Sequence, residues 1–140
     1  MKLNRGRIWL GGLVGGVVWN AWSFFVYRYI TGARYVAAQH AGWFLKTPRY
    51  PYFPAAWTIL LFIMAVAVAH LYAWARQGLG PGPGTALKIG FLVGFFAGFP
   101  DNFAQAEWSA VGRALPFGWM IDMWLGAILT ALVAGYFYKE

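Results

Sequence analysis

The 140-residue chain has no cysteine, four acidic residues, two histidines, and only 11% charged residues in total. Without cysteine there are no disulfides, no thiolate metal sites and no cysteine nucleophile, and the redox compartment is left open. With so few carboxylates, paired general acid/base chemistry has little to draw on. Asp101, Glu107 and Asp122 are the ones that can meet on one side of a bilayer, and Glu140 is at the end of the chain. His40 and His70 do not stand at metal-ligand spacing, so no metal site is expected. Gly-x-Ser-x-Gly, His-Glu-x-x-His, a phosphate loop ending in Gly-Lys-Ser/Thr, and Gly-x-Gly-x-x-Gly after a strand are all missing. A membrane enzyme is therefore the least supported function class. Scarcity of charge also excludes a soluble domain, which carries about a quarter of its residues as Asp, Glu, Lys and Arg.

What the chain has instead is apolar surface: 61% hydrophobic residues, 21% aromatic, nine Trp and 18 Gly. A helix needs about 20 residues to cross a hydrocarbon core of roughly 30 Å. Four stretches approach that length, and they predict an all-α membrane protein: a single domain over 1–140, with four transmembrane helices in a compact bundle and spans at about 8–30, 53–75, 86–106 and 115–138. The third span is interrupted by Pro100-Asp101-Asn102. Its clean run, Ala86 to Phe99, reaches only about 20 Å, so it must continue through the proline to about Ala106. Between spans two and three, Arg76 to Gly84 is a breaker-rich turn. Thr31 to Tyr52 is longer, basic and aromatic, which fits either a short segment lying in the interface or a solvated loop.

The basic start, Lys2, Arg5 and Arg7, resembles the flank of a signal peptide. The apolar run behind it, however, continues to Ile30 and ends in Tyr27-Arg28-Tyr29, which predicts a retained first span. Lys2, Arg5, Arg7, Arg76, Lys88 and Lys139 fall on one side of the bilayer; Arg28, Arg34, Lys46, Arg49 and Arg113 fall on the other. Weight on the first span places both termini in the cytoplasm. Trp43, Trp57, Trp108 and Trp119 then mark the outer boundary, and Trp9 and Trp74 the inner one. The net charge of +7 sits beside spans and does not form a patch interleaved with aromatics. That distribution points to anionic lipid headgroups as the partner, with no role for nucleic acid.

Small residues repeat at helical spacing: Gly12 and Gly16 in span one, Gly90, Gly94 and Gly98 in span three, Ala65, Ala69 and Ala73 in span two, and Ala127, Ala131 and Gly135 in span four. Such faces let backbones approach closely, within one chain or between chains. Gly12-x-x-x-Gly16-x-x-x-Asn20 recurs as Gly94-x-x-x-Gly98-x-x-x-Asn102, and Pro54-x-x-Trp57 recurs as Pro116-x-x-Trp119. Two pseudo-repeated helical hairpins and chance in a glycine-rich chain both account for this pairing.

Counting about 1.5 Å per residue puts Asn20, Asp101 and Asp122 at similar heights, with Asn102 beside them. Together with Arg28 they form a candidate polar or ligand layer in the outer leaflet. Two readings follow. Asp122 is either a tether, held by Asn20, Asn102 or a cation such as Arg28 or Arg113, or part of an ion or ligand site. His70 in span two is either an interhelical hydrogen-bonding residue or an axial cofactor ligand for a haem or chlorophyll. No cofactor is named by any motif.

The basic N-terminus, the glycine-rich first span, the Lys88-Ile-Gly-Phe-Leu-Val-Gly94 third span and the tail after Gly135-Tyr-Phe-Tyr138 resemble small, uncharacterised four-helix bacterial membrane proteins. That resemblance implies a bacterial inner (plasma) membrane and a four-helix fold, and carries no activity or site residues. Small multidrug transporters share the size but carry a glutamate in the first helix, where this span has no acid. Fluoride channels share the early glycine cluster and little else. Two function classes are expected: a structural or accessory subunit packing through its Gly/Ala faces with itself as a homo-oligomer or with a larger membrane complex, or a small oligomeric channel or transporter with an outer-leaflet polar site.

Overall fold

A computed structural model describes residues 3–138. The described chain is helical with no strand: α1 (Arg5–Val26), a π-helical turn (Tyr27–Thr31), α2 (Gly32–His40), α3 (Phe53–Leu79), α4 (Pro83–Trp108) and α5 (Ala114–Phe137). Four of these stretches are long and apolar enough to cross a membrane, and they pack together as a bundle. Lys2, Lys139 and Glu140, which enter the charge count, lie outside the described residues.

Helix ends follow local chemistry. Asn4 caps α1, its side-chain oxygen accepting from the Arg7 N–H at 3.2 Å. Pro54 and Pro83 open α3 and α4, where the missing N–H has no helical acceptor to lose. Gly80, at φ +82°, ends α3 in a conformation that suits glycine. Pro100 lies inside α4 and the helix continues through it, as span three requires, at the expense of a donor to the Phe96 carbonyl.

The connection after span one departs from the expected loop or interfacial segment. The helix does not stop near Ile30. It passes through one π-helical turn into α2 and ends at His40, because nothing between Val26 and Ala41 breaks it; even Gly32 keeps helical dihedrals, at φ −59° and ψ −50°. The remaining segment, 41–52, is pinned by Phe44, whose ring lies 5.0 Å from that of Tyr35 and 6.2 Å from that of Trp119.

α3 and α5 meet across the centre, while α1 and α4 flank them, α1 against α3 and α5, α4 mainly against α5. The interior is built from small residues and the outer surface from large ones: Ala65, Ala73, Ala127 and Ala131 are fully buried, whereas Phe96 is 72% exposed and Ile63 61%. Lipid tails solvate large apolar side chains as well as a protein core does, so helix association rests on close backbone contact and the small residues turn inward.

The glycine faces make contacts within the chain. A Cβ on Gly90 would lie 2.6 Å from Ile128 Cα, and one on Gly94 2.7 Å from Trp124 Cα, so α4 and α5 run antiparallel with four-residue steps on both. Gly12 likewise faces Val66, and Gly16 faces Phe62 on α3. The Gly-Gly-Asn pairing has a matching local geometry, since Asn20 Nδ2 donates to the Gly16 carbonyl at 2.9 Å and Asn102 Nδ2 to the Gly98 carbonyl at 2.7 Å. The correspondence stops there, because α1 packs far more extensively on α5 than α4 does on α3.

Candidate functional site

A second stripe on α1, one residue offset from the glycine face read in the sequence, builds the polar interior. Gly11 lies against Ala134, Gly15 against Thr130, Trp19 against Gly126, and Ser23 against Asp122. Each step forward by four on α1 is a step back by four on α5, the register of an antiparallel pair whose facing rows repeat about every turn. Thr130 Oγ donates to the Gly15 carbonyl at 3.1 Å, a bond open only because Gly15 presents bare backbone. The fully buried Trp19 indole fits over Gly126, where any Cβ would collide with it.

At the end of this row Asp122 is buried, 7% exposed, and its Oδ2 accepts from Ser23 Oγ at 2.7 Å. Its Oδ1 is sealed from the surface and has no partner among the described residues. Trp19 Nε1, one rung away, is also buried without an acceptor. The interior thus holds an unsatisfied acceptor and an unsatisfied donor on neighbouring rungs, each costing about 1–3 kcal/mol if left unpaired.

The other residues of the expected layer do not gather at Asp122. Asn20 faces α3, its Nδ2 bonding Gly16 and, at 3.4 Å, the Thr58 carbonyl. Asn102 is buried and turned back to its own helix. Asp101 is exposed and accepts from Gln105 Nε2 at 3.1 Å. Arg28 is exposed, with its guanidinium 5.7 Å from the Tyr29 ring centre. The tether is therefore Ser23, not Asn20, Asn102 or Arg28. Equal height along the bilayer normal does not bring side chains together when they lie on different faces of their helices.

Ser23 and Trp19 were missed in the sequence, although their signal is there: Gly11-x-x-x-Gly15-x-x-x-Trp19-x-x-x-Ser23 matches Asp122-x-x-x-Gly126-x-x-x-Thr130-x-x-x-Ala134 in spacing. A clamp at the end that carries both termini was missed as well. There Tyr72 Oη accepts from the Gly82 N–H at 3.2 Å and Tyr138 Oη from the Asn4 N–H at 3.4 Å, while Arg76 Nη1 donates to the Tyr138 carbonyl at 3.2 Å and lies 4.8 Å from the centre of its ring. These contacts join the ends of all four spanning helices.

His70 lies on α3 at the same end, half-buried, with Nδ1 2.8 Å from the Val66 carbonyl. Trp9 and Trp74 flank it, their ring centres 6.3 and 6.0 Å from the imidazole. A groove lined by Trp9, Leu13, Phe62, Ile63 and Val66 runs beside it between α1 and α3. No group of three His, Asp or Glu side chains suited to a metal ion occurs among the described residues.

No family model matches the chain. No curated protein and no solved structure matches it either.

Proposed function

We propose that the chain is an accessory subunit of the bacterial inner membrane, with both termini in the cytoplasm, that associates with copies of itself or with a larger complex. The observation that carries this reading is the use of its small-residue faces. Gly12, Gly16, Gly90, Gly94 and Gly98 all meet helices of the same chain, so the bundle completes its own interior. What it offers a neighbour is the outer surface, where α4 presents Phe91, Leu92, Phe96 and Phe103, each about half exposed or more. Interfaces rich in aromatic side chains bury much area at little entropy cost. At the opposite end from the termini, the exposed cations Arg28, Arg34, Lys46 and Arg49 suit anionic headgroups.

The test is a photo-crosslinking residue at Phe96, with the same residue at Ile63 on α3 for comparison, followed by mass analysis of adducts formed in native membranes. A discrete protein adduct at Phe96 is the expected result. Lipid adducts alone at every outward position would remove the subunit reading.

One observation favours the second class, a small channel or transporter: the unpartnered Oδ1 of Asp122 inside the bundle. Intramembrane carboxylates are costly, on the order of 2.5–3.5 kcal/mol at a helix centre, and are retained where they meet ions or substrates. Proteoliposome cation flux that is present in the wild type and lost in Asp122→Asn, with the fold intact, would decide for this reading.

A further inference from the structure

We propose that a groove on the outer face of α4, at the end of the bundle that carries both termini, binds one anionic phospholipid, with an acyl chain along Leu87, Phe91 and Leu92 and the lipid phosphate held by Lys88. The charge comes first. Lys88 is the one ionisable residue between Pro83 and Pro100. It lies five residues past the start of α4, about 7.5 Å along the helix, and is exposed on a surface that otherwise shows Leu87, Phe91 and Leu92 to lipid. Among the described residues it takes part in no hydrogen bond or ion pair. The described carboxylates, Asp101, Glu107 and Asp122, stand toward the opposite end. A lysine so placed lays its aliphatic stem along the apolar surface and carries its ammonium to headgroup level, where lipid phosphate is the available counter-charge.

The groove has room for the rest of the ligand. Gly90 brings α4 against Ile128 of α5, and beside that contact lies an open trough of about 530 Å³, lined by Leu79, Leu87, Phe91, Leu92 and Ile128 together with Lys88. At the roughly 30 Å³ that each molecule takes in liquid water, close to the volume of a methylene group, this space holds about 18 such groups, the size of one acyl chain. Its depth fits as well. Leu79 ends α3, so the trough opens beside the turn between α3 and α4, while Leu92 lies nine residues past Pro83, about 13.5 Å along the helix. That is close to one leaflet, half of a hydrocarbon core of about 30 Å.

Other occupants fit less well. A helix crossing the bilayer would need a groove along the whole of α4, and this one stops near the midplane. Free phosphate has nothing to fill an apolar trough. A zwitterionic headgroup brings an ammonium that Lys88 repels and that no described carboxylate at this end accepts.

The site is independent of the subunit reading, since it needs only one chain and its lining does not include Phe96 or Phe103. The experiment is native mass spectrometry of the delipidated, detergent-solubilised full chain, titrated with phosphatidylglycerol or with phosphatidylcholine of the same acyl chains. One phosphatidylglycerol should bind saturably, about fivefold tighter than phosphatidylcholine, the value of one lysine beside anionic lipid. Lys88→Gln should remove that preference and Lys88→Arg should keep it. Leu92→Trp, which fills the trough and keeps the charge, should weaken both lipids, whereas Arg49→Gln at the opposite end should change neither. Circular dichroism establishes that the variants are folded. If Lys88→Gln is not, Leu92→Trp decides, and undiminished binding there overturns the proposal. So do equal affinities for the two lipids, a preference that survives in folded Lys88→Gln, displacement of the lipid by an equal concentration of inorganic phosphate, or a dimer mass in place of the lipid adduct.

Discussion

Replacing Gly94 by alanine adds one methyl group at the close backbone seam between α4 and α5, and its cost follows from what that carbon would meet. The new Cβ would lie 2.7 Å from both Cα and the carbonyl oxygen of Trp124 and 2.8 Å from Trp124 Cδ1. Two of these three atoms are backbone, so no rotamer change relieves the clash, and α5 must move. Ordinary contact begins at 3.4 Å, a displacement of about 0.7 Å obtained as 3.4 minus 2.7. A gap of roughly 0.5–1 Å forfeits a quarter to a half of each neighbouring van der Waals contact. Those contacts extend along the whole seam, because Gly90 and Gly98 share it, and overpacking of this kind costs about 1–3 kcal/mol. Gly78→Ala is the control. Gly78 lies in α3 with nothing within 4 Å of its added carbon, and there alanine should stabilise the helix by about 0.5–1 kcal/mol. Thermal or denaturant unfolding in detergent, followed by circular dichroism, measures both variants. If Gly94→Ala unfolds with the wild type while Gly78→Ala is raised, close backbone approach is not what holds α4 to α5.

Ser23→Ala should cost about 1.5–3 kcal/mol, the value of a hydrogen bond to a charged group, because it removes the donor that Asp122 has among the described residues. Asp122→Asn keeps an acceptor for Ser23 and should cost less; an additive double variant would show that the two side chains are not coupled. Tyr72→Phe should lose about 1 kcal/mol, since the Gly82 N–H loses its acceptor, and an unchanged unfolding midpoint would remove the clamp at that end. For topology, single cysteines at the exposed positions Gln77 and Ala110 can be labelled from the periplasm in the cysteine-free chain. Ala110→Cys should label and Gln77→Cys should not; the reverse pattern would invert the proposed orientation.

Span number, the passage of span three through Pro100 and the inward turn of the small residues were legible in the sequence, because each depends on quantities a linear chain carries. The bilayer sets a minimum helix length. Helical periodicity places Gly90, Gly94 and Gly98 on one face, and the absence of a hydrophobic drive in lipid sends such a face toward another backbone. Continuation of the first helix to His40 was also within reach, since no residue from Tyr27 to His40 forbids it, whereas the basic and aromatic composition of 31–52 fits an interfacial segment and a solvated loop as well.

Tertiary structure alone decided which face meets which helix. Asn20 and Ser23 are three residues apart on α1, yet Asn20 turns to α3 and Ser23 to Asp122, because α1 sits in the angle between α3 and α5 and divides its faces between them. Residue depth can be counted along one helix, whereas azimuth and register between helices are set by how the glycines of one surface fit the side chains of the next. Gly126 admits the Trp19 indole and Gly15 bares a carbonyl to Thr130, and those two fits bring Ser23 level with Asp122.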